Sequence, residues 1–400
     1  MSMLKSYKWL FIVFAVFFVA CKDTKNDPDP QPSYLTNSVL VNTISQADLK
    51  TQIVASFGPE ASAASFLIRS GIKQYKISYK TKTITGESIT ASGAVMVPTD
   101  LSTEKLALSC VQHGTLFNEK DAPSYFNPAT ESTLGSVLAS TGFIVGLPDY
   151  IGYGDSKDVP HPYEHNKGSS ESNVDFIRAV KEFIAKEKLN WNNNLMIGGY
   201  SQGGYVTLAM QKLIEEKYAS EFNLKASSCG AGAYNKTKTI ESFLKNKTSG
   251  EASNNRSYIW VLQTYDRIYG LNRNLNTYFI EPYLSQIQKD GHMALISKSF
   301  DEILQPSFVT GILNGTDTKF IDAVKDNDIY DWAPKVPTNL YHGDKDTYVP
   351  FLNSQTAYDA MVKKGSTSVK LIPISGGTHS SSVFDFFMGT YFLFSANKNL

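Results

Sequence analysis

Leu195-Met196-Ile197-Gly198-Gly199-Tyr200-Ser201-Gln202-Gly203-Gly204 is the stretch on which the reading of this chain turns. Three apolar residues supply a strand, two glycines lead into a turn, and Gln202 opens a segment with helical spacing to about Tyr218. A serine on so sharp a strand-to-helix turn is held in a strained backbone conformation, with its hydroxyl exposed at the end of a sheet. Gly199 and Gly203 leave the room that close approach of strand and helix demands. The helix N-terminus adds partial positive charge where an oxyanion would develop. A Gly-x-Ser-x-Gly run alone is also compatible with a turn that binds nothing, so the partners of Ser201 decide.

Outward from this stretch the chain alternates between strand and helix patterns. Gln74 onward, with Tyr75, Ile77 and Tyr79 set between polar residues, turns at Thr85-Gly86 into a second alternating run, Ile89 to Val97. That is a hairpin. After it come short apolar runs typical of strands buried on both faces: Leu106–Gln112, Phe143–Pro148, Leu195–Gly198, Ser227–Gly230, Thr338–Tyr341 and Val369–Ile374. Helical spacing falls between them. One helix, capped by Ser172, has Val174, Ile177, Val180, Phe183 and Ile184 on a common face; others cover Gln202–Tyr218, Asn353–Lys364 and Ser381–Phe394. This alternation predicts an α/β fold with a mostly parallel central sheet and helices on both faces. From Lys236 to Lys335 the pattern holds no sheet strand, only helix-like stretches such as Ser257–Tyr269 and Thr277–Gln288. A segment of that length is too long for a plain loop and reads as an inserted helical cap, or as a helical insertion away from substrate.

The partners of Ser201 follow it in the order that a nucleophile elbow requires. The strand ending at Tyr341 runs into His342-Gly343-Asp344-Lys345-Asp346-Thr347-Tyr348-Val349-Pro350, and the one ending near Ile374 into Ser375-Gly376-Gly377-Thr378-His379. Both loops leave the C-terminal ends of parallel strands, where ligands bind. Ser201, Asp346 and His379 are thus the expected catalytic residues, with Asp344 the competing acid. The expected oxyanion donors are the N–H of Gln202 and that of Gly114 or Thr115, with Asp149 a lesser alternative.

Several motifs make the chain resemble the secretory lipase-type esterases of the α/β-hydrolase superfamily, from about residue 74 to the C-terminus. They are Pro148-Asp149-Tyr150-Ile151-Gly152-Tyr153-Gly154, His161-Pro162-Tyr163, Gly199-Tyr200-Ser201-Gln202-Gly203-Gly204, Tyr269-Gly270-Leu271, and His342-Gly343 with Asp346 and Val349-Pro350. The resemblance implies an α/β-hydrolase fold, ester hydrolysis without metal or cofactor, Asp346 as acid and His379 as base. Two other readings use the same residues: a peptidase of the prolyl oligopeptidase type, and a noncatalytic lipoprotein that binds glycans or lipids. The first lacks the long propeller domain of that family. A complete Ser/Asp/His set argues against the second.

Lys5 and Lys8 precede the apolar run Trp9 to Ala20, too short to span a bilayer and ending in Phe18-Val19-Ala20-Cys21. This pattern reads as a lipoprotein signal peptide at 1–20, with Cys21 lipidated and a polar tether at 21–34. Lys22 after the cysteine points to the outer membrane, with the enzyme facing periplasm or cell surface. The expected layout continues with hydrolase core at 35–235, cap at 236–335 and core again at 336–400. The formal net charge of zero, scattered along the chain, offers no basic stripe for nucleic acid. Cys110 and Cys229, both in strand-like runs, are read as either a disulfide or two buried thiols. His161 and His165 have metal-pair spacing, but Pro160 and Pro162 disfavour a helix there, and a structural or rim role is expected. His113 is expected to shape the oxyanion loop, His342 to support the acid loop, and His292 to lie on the cap surface.

Overall fold

The computed structural model describes residues 33–57, 65–127 and 132–400. Cys21, the signal segment and all but the end of the tether lie outside the described residues. Nine strands form one sheet in the order β1-β2-β3-β5-β4-β6-β7-β8-β9. They are β1 Leu35–Ile44, β2 Ile72–Lys82, β3 Ser88–Pro98, β4 Leu106–Gln112, β5 Phe143–Pro148, β6 Trp191–Tyr200, β7 Asn223–Gly230, β8 Thr338–Gly343 and β9 Val369–Ile374. The first three strands join antiparallel, and β4 to β9 run parallel. This is the expected architecture.

Helices cover both faces, which is why the parallel strands read as continuous apolar runs. On one face lie α1 (Gln46–Phe57), α2 (Ser132–Ser140) and a C-terminal helix Val383–Asn397, packed through Leu49, Val137, Phe387 and Phe394. On the other lie α3 (Asn166–Lys186), α4 (Gln202–Lys217) and a helix at Leu352–Lys363, packed through Phe176, Val180, Val206, Met210 and Met361. The predicted apolar face of α3 is buried throughout. Its start is not where Ser172 suggested. The helix begins at Asn166, where His165 caps it by accepting from the Gly168 N–H at 3.0 Å, and the Ser172 hydroxyl donates to Gly168 O inside the helix. An imidazole nitrogen serves here as the acceptor that Ser, Thr, Asp or Asn more often provides.

Three elements escaped the sequence reading. β1 is an edge strand whose residues are mostly exposed, so no alternation marks it, and its register comes from pairing with β2. The helices α1 and α2 were also unforeseen. Cys110 and Cys229 sit on β4 and β7 with β6 between them, and both are free and buried. Burial raises each thiol to about 12, which leaves them inert.

Between β7 and β8 the chain forms α5 (Lys236–Lys245), α6 (Ala252–Ile268), α7 (Tyr283–Asp290), α8 (Pro306–Leu313) and α9 (Thr318–Lys325), and contributes no strand to the sheet. The predicted helix Thr277–Gln288 is broken. A single turn at Leu275–Thr277 stops short of Pro282, and α7 starts after it, because proline cannot supply the helical N–H. This insertion buries a core of its own, with Ile259, Tyr265, Phe279 and Phe320 inside. It is tied to the rest by Arg267 donating to His161 O at 2.9 Å and by Tyr265 donating to Glu164 O at 3.0 Å. Its first and last strands of chain meet where the Ile329 N–H donates to Tyr234 O at 3.0 Å. The two remaining helices, Leu352–Lys363 and Val383–Asn397, complete the series as α10 and α11.

Candidate active site

Ser201 stands between β6 and α4, at the N-cap of the helix, with φ 58° and ψ −122°, a region that non-glycine residues rarely enter. Its backbone is held on both sides: its N–H donates to Gly230 O at 2.8 Å, and its carbonyl accepts from Tyr205 at 3.1 Å. The flanking glycines are required by packing. A Cβ on Gly203 would stand 2.1 Å from Gln112 O, and one on Gly199 2.5 Å from Gly203 O. Strand, turn and β4 could not come so close with any side chain at either position.

The structure brings the three expected residues into one hydrogen-bonded line. His379 Nε2 lies 2.9 Å from Ser201 Oγ, and His379 Nδ1 lies 2.6 Å from Asp346 Oδ2. The carboxylate of Asp346 has no exposed surface, and its Oδ1 accepts from the N–H groups of Tyr348 and Val349, each at 2.9 Å. Burial acts to raise this carboxyl, but hydrogen bonds from His342 and His379 outweigh it and hold it at about 2. An ionised Asp346 fixes the proton of His379 on Nδ1, leaving Nε2 as the acceptor that faces the serine hydroxyl. The competing acid, Asp344, is exposed, and its carboxylate accepts from Gly376 N–H at 2.8 Å. His342 packs behind Asp346, its Nε2–H shared between Val349 O at 2.7 Å and Asp346 Oδ2 at 3.3 Å, and its Nδ1 accepting from Ser354 at 2.7 Å. It supports the loop.

Gln202 is the first residue of α4, and Gly114 and Thr115 follow β4; the latter two line the same open bowl as Ser201 and His379. Asp149 is occupied elsewhere, accepting from Ser92 Oγ at 2.6 Å and Ser124 N–H at 2.8 Å. His113 is buried and shapes the loop, touching Gly114 O at 2.7 Å and Asp149 O at 3.1 Å; burial lowers it to about 4.

His161 proves closer to the site than a rim residue. Its Nδ1 is 2.6 Å from Ile151 O, so that nitrogen carries the proton, and its Nε2 accepts from the Gln202 amide at 2.8 Å. Burial lowers it to about 3 and keeps it neutral, as this bonding demands. His165, with its helix-capping role, faces a different partner, so the two do not converge on one point. His292 is not a surface residue either: it is half-buried and stacked on Trp260, with ring centroids 4.1 Å apart. Trp260 joins the two, stacked also on Tyr163 at 4.3 Å and tilted against His161 at 5.4 Å between ring centroids.

Ser201 stands between two cavities. One runs into the insertion, spans about 720 Å³ outside atoms with open solvent included, and is walled largely by Ile240, Phe243, Leu262, Phe300 and Phe308. The buried ion pair of Lys236 and Glu164 lies in its wall. The other is the bowl, about 1600 Å³ and open to solvent, bordered by Thr115, Phe117, Glu251, Ser253, Asn254 and Ser380.

A mostly parallel sheet, an elbow serine at its C-terminal edge and a helical insertion above it define the α/β-hydrolase class. Within that class the chain belongs to the secretory lipase family, whose profile matches residues 126–385, and it is accordingly a carboxylic ester hydrolase of the lipase/esterase type. The family's secretory character fits an exported chain, and among the described residues no helix is long and apolar enough to cross a membrane. No curated protein matches the chain in sequence. Among solved structures, a protein of Legionella pneumophila described as a hydrolase shares 22% identity over 91% of this chain and 98% of its own, with a TM-score of 0.81. The rice cell wall degrading esterase LipA of Xanthomonas oryzae shares 23% over 92% and 99%, with a TM-score of 0.75. Candida antarctica lipase A in its closed state shares 16% over 89% and 82%, with a TM-score of 0.61. At such identities the likeness speaks for the fold.

Proposed function

We propose that this enzyme hydrolyses carboxylic esters through a Ser201–His379–Asp346 triad and an acyl-enzyme intermediate. The observation that carries the reading is the unbroken line from Ser201 Oγ through His379 to Asp346, at 2.9 and 2.6 Å. His379 takes the hydroxyl proton as Ser201 Oγ attacks the ester carbonyl, and Asp346 stabilises the imidazolium. The N–H of Gln202 and that of Gly114 or Thr115 receive the oxyanion, each such donor being worth about 3 kcal/mol of barrier. His379 then returns the proton to the departing alcohol. Water, deprotonated by the same imidazole, releases the acid.

The two cavities suggest how the ester lies. The cap cavity, with aliphatic and aromatic walls, suits the acyl chain, because burying each CH₂ is worth about 0.8 kcal/mol. The bowl suits a solvated alcohol. On the sequence of residues 1–34, the enzyme is exported and anchored to the outer membrane through a lipidated Cys21. Ser201→Ala, assayed on p-nitrophenyl esters alongside circular dichroism, tests the triad: turnover should vanish with the fold intact, and retained turnover would overturn the assignment. Labelling of Ser201 by a fluorophosphonate gives an independent check. Palmitate incorporation lost on Cys21→Ser tests the anchor.

A further inference from the structure

Tyr348 stands two residues after Asp346, at the meeting point of the two cavities, since it lines both as Ser201 does. Its groups point in four directions. Its N–H donates to Asp346 Oδ1 at 2.9 Å, and its carbonyl accepts from the Tyr258 hydroxyl at 2.8 Å. Its phenol is hydrogen-bonded to Ser257, and its ring meets the His379 imidazole edge-to-face, with centroids 4.7 Å apart and planes at 74°. Ser257 and Tyr258 belong to α6 in the cap, whereas Asp346 and His379 belong to loops at the sheet edge. One residue thus joins the seat of the cap to both the carboxylate and the imidazole.

None of these contacts is large in stability terms; an edge-to-face ring pair is worth about 1 kcal/mol and a net hydrogen bond about the same. Their leverage is geometric. Displacing a reacting group by about 1 Å can cost about 100-fold in rate. α6 also supplies Val261 and Leu262 to the wall of the cap cavity, so whatever fills that cavity presses on the helix to which Tyr348 is bonded.

We propose that Tyr348 is a positioning residue that transmits the seating of α6 to the His379 imidazole, so that a well-filled cap cavity raises kcat. The inference rests on the triad reading above. Remote binding energy is then used at the reacting centre, which raises kcat; energy used only to hold substrate would lower KM instead.

The test is kcat and KM measured separately on p-nitrophenyl acetate and p-nitrophenyl dodecanoate. Wild type should show a higher kcat on the dodecanoate. Tyr348→Phe and Ser257→Ala both delete the Tyr348–Ser257 bond, Tyr348→Phe also giving up the phenol's bonds to Thr115 and Tyr163; each should shrink that kcat advantage by about 3- to 10-fold, and the double variant should shrink it no further than Tyr348→Phe alone. Tyr348→Ala, which also removes the ring from His379, should lower kcat on both esters by about 10- to 100-fold. Thermal unfolding of each variant checks that the fold is kept, and the two conservative variants decide the matter if Tyr348→Ala does not fold. Effects confined to KM, an unchanged chain-length ratio, or additive losses in the double variant would overturn the role of Tyr348. A wild type inactive on both esters would instead overturn the triad reading itself.

Discussion

The two cavities that meet at Ser201 are built from different material. The cap cavity is walled by side chains from α5, α6 and α8, most of them aliphatic or aromatic, and it borrows little from the sheet. The bowl is bordered by the loops after β4, β8 and β9 and by the start of α6 at Glu251, Ser253 and Asn254, with hydroxyl, amide and carboxyl groups among its walls. One side of Ser201 therefore meets mostly apolar surface, and the other meets a solvent-open bowl with polar groups on its rim. The difference teaches that, on the proposed function, loops at the sheet edge hold the reacting groups while the insertion shapes the apolar pocket beside them.

The comparison breaks first where the two cavities join. Asp346→Asn should lower kcat by about 10⁴-fold on every ester, whatever cavity its groups enter, because the imidazole loses its tautomer. Asp344→Asn should leave kcat within about twofold, since its carboxylate serves only Gly376. Steady-state kinetics on a short and a long ester checks both. Next comes the cap side. Val261→Trp should fill the apolar cavity and lower kcat/KM for dodecanoate about 100-fold more than for acetate, a contrast read from an acyl-length series.

The third prediction concerns pH at the junction. Asp346 is held below its ordinary 3.8, at about 2, so the native state resists its protonation. That interaction contributes about 2 kcal/mol, fully present above pH 4 and lost as pH falls through 2. Buried His113 and His161, lowered to about 4 and about 3, act in the same direction at higher pH: the unfolded chain takes up their protons below 6.5 and the native chain does not. Unfolding free energy should therefore fall from pH 6.5 downward, and Asp346→Asn should flatten the part of the curve below pH 4. Denaturant titrations at a series of pH values measure both slopes. The smallest effect belongs to the bowl. Ser253→Trp should lower kcat/KM by about threefold for esters of a bulky alcohol relative to ethyl esters, because Ser253 lies on the solvent-open rim, where a substrate can shift.

Most of the sheet and the candidate triad were legible because their signals are local. The apolar runs of β4 and β5 have no polar face to blur their limits, and Gly199, Ser201 and Gly203 state the elbow in five residues. Asp346 could be separated from Asp344 only by the resemblance, since both lie in one loop; the structure adds the reason, one carboxyl turned inward against two histidines and the other outward to Gly376. What stayed hidden depends on contacts distant in sequence. β1 has no buried face and exists by pairing with β2. The contact of His161, expected in a structural or rim role, with Gln202 was hidden because the two lie 41 residues apart. His292 was misread for a similar reason: nothing near it in the chain announces Trp260.

The insertion leaves the sheet after β7 and returns to β8, and these two strands are neighbours. The Ala231 N–H donates to Tyr341 O at 2.8 Å and the Ile329 N–H to Tyr234 O at 3.0 Å, so the outgoing and incoming chains are stitched together at the neck. The cap is in this respect a cassette with fixed terminals. Its interior can drift in sequence without disturbing the register of a single strand. On the proposed function, a lineage carrying this scaffold can reshape the pocket in the cap while the strands beneath keep their places.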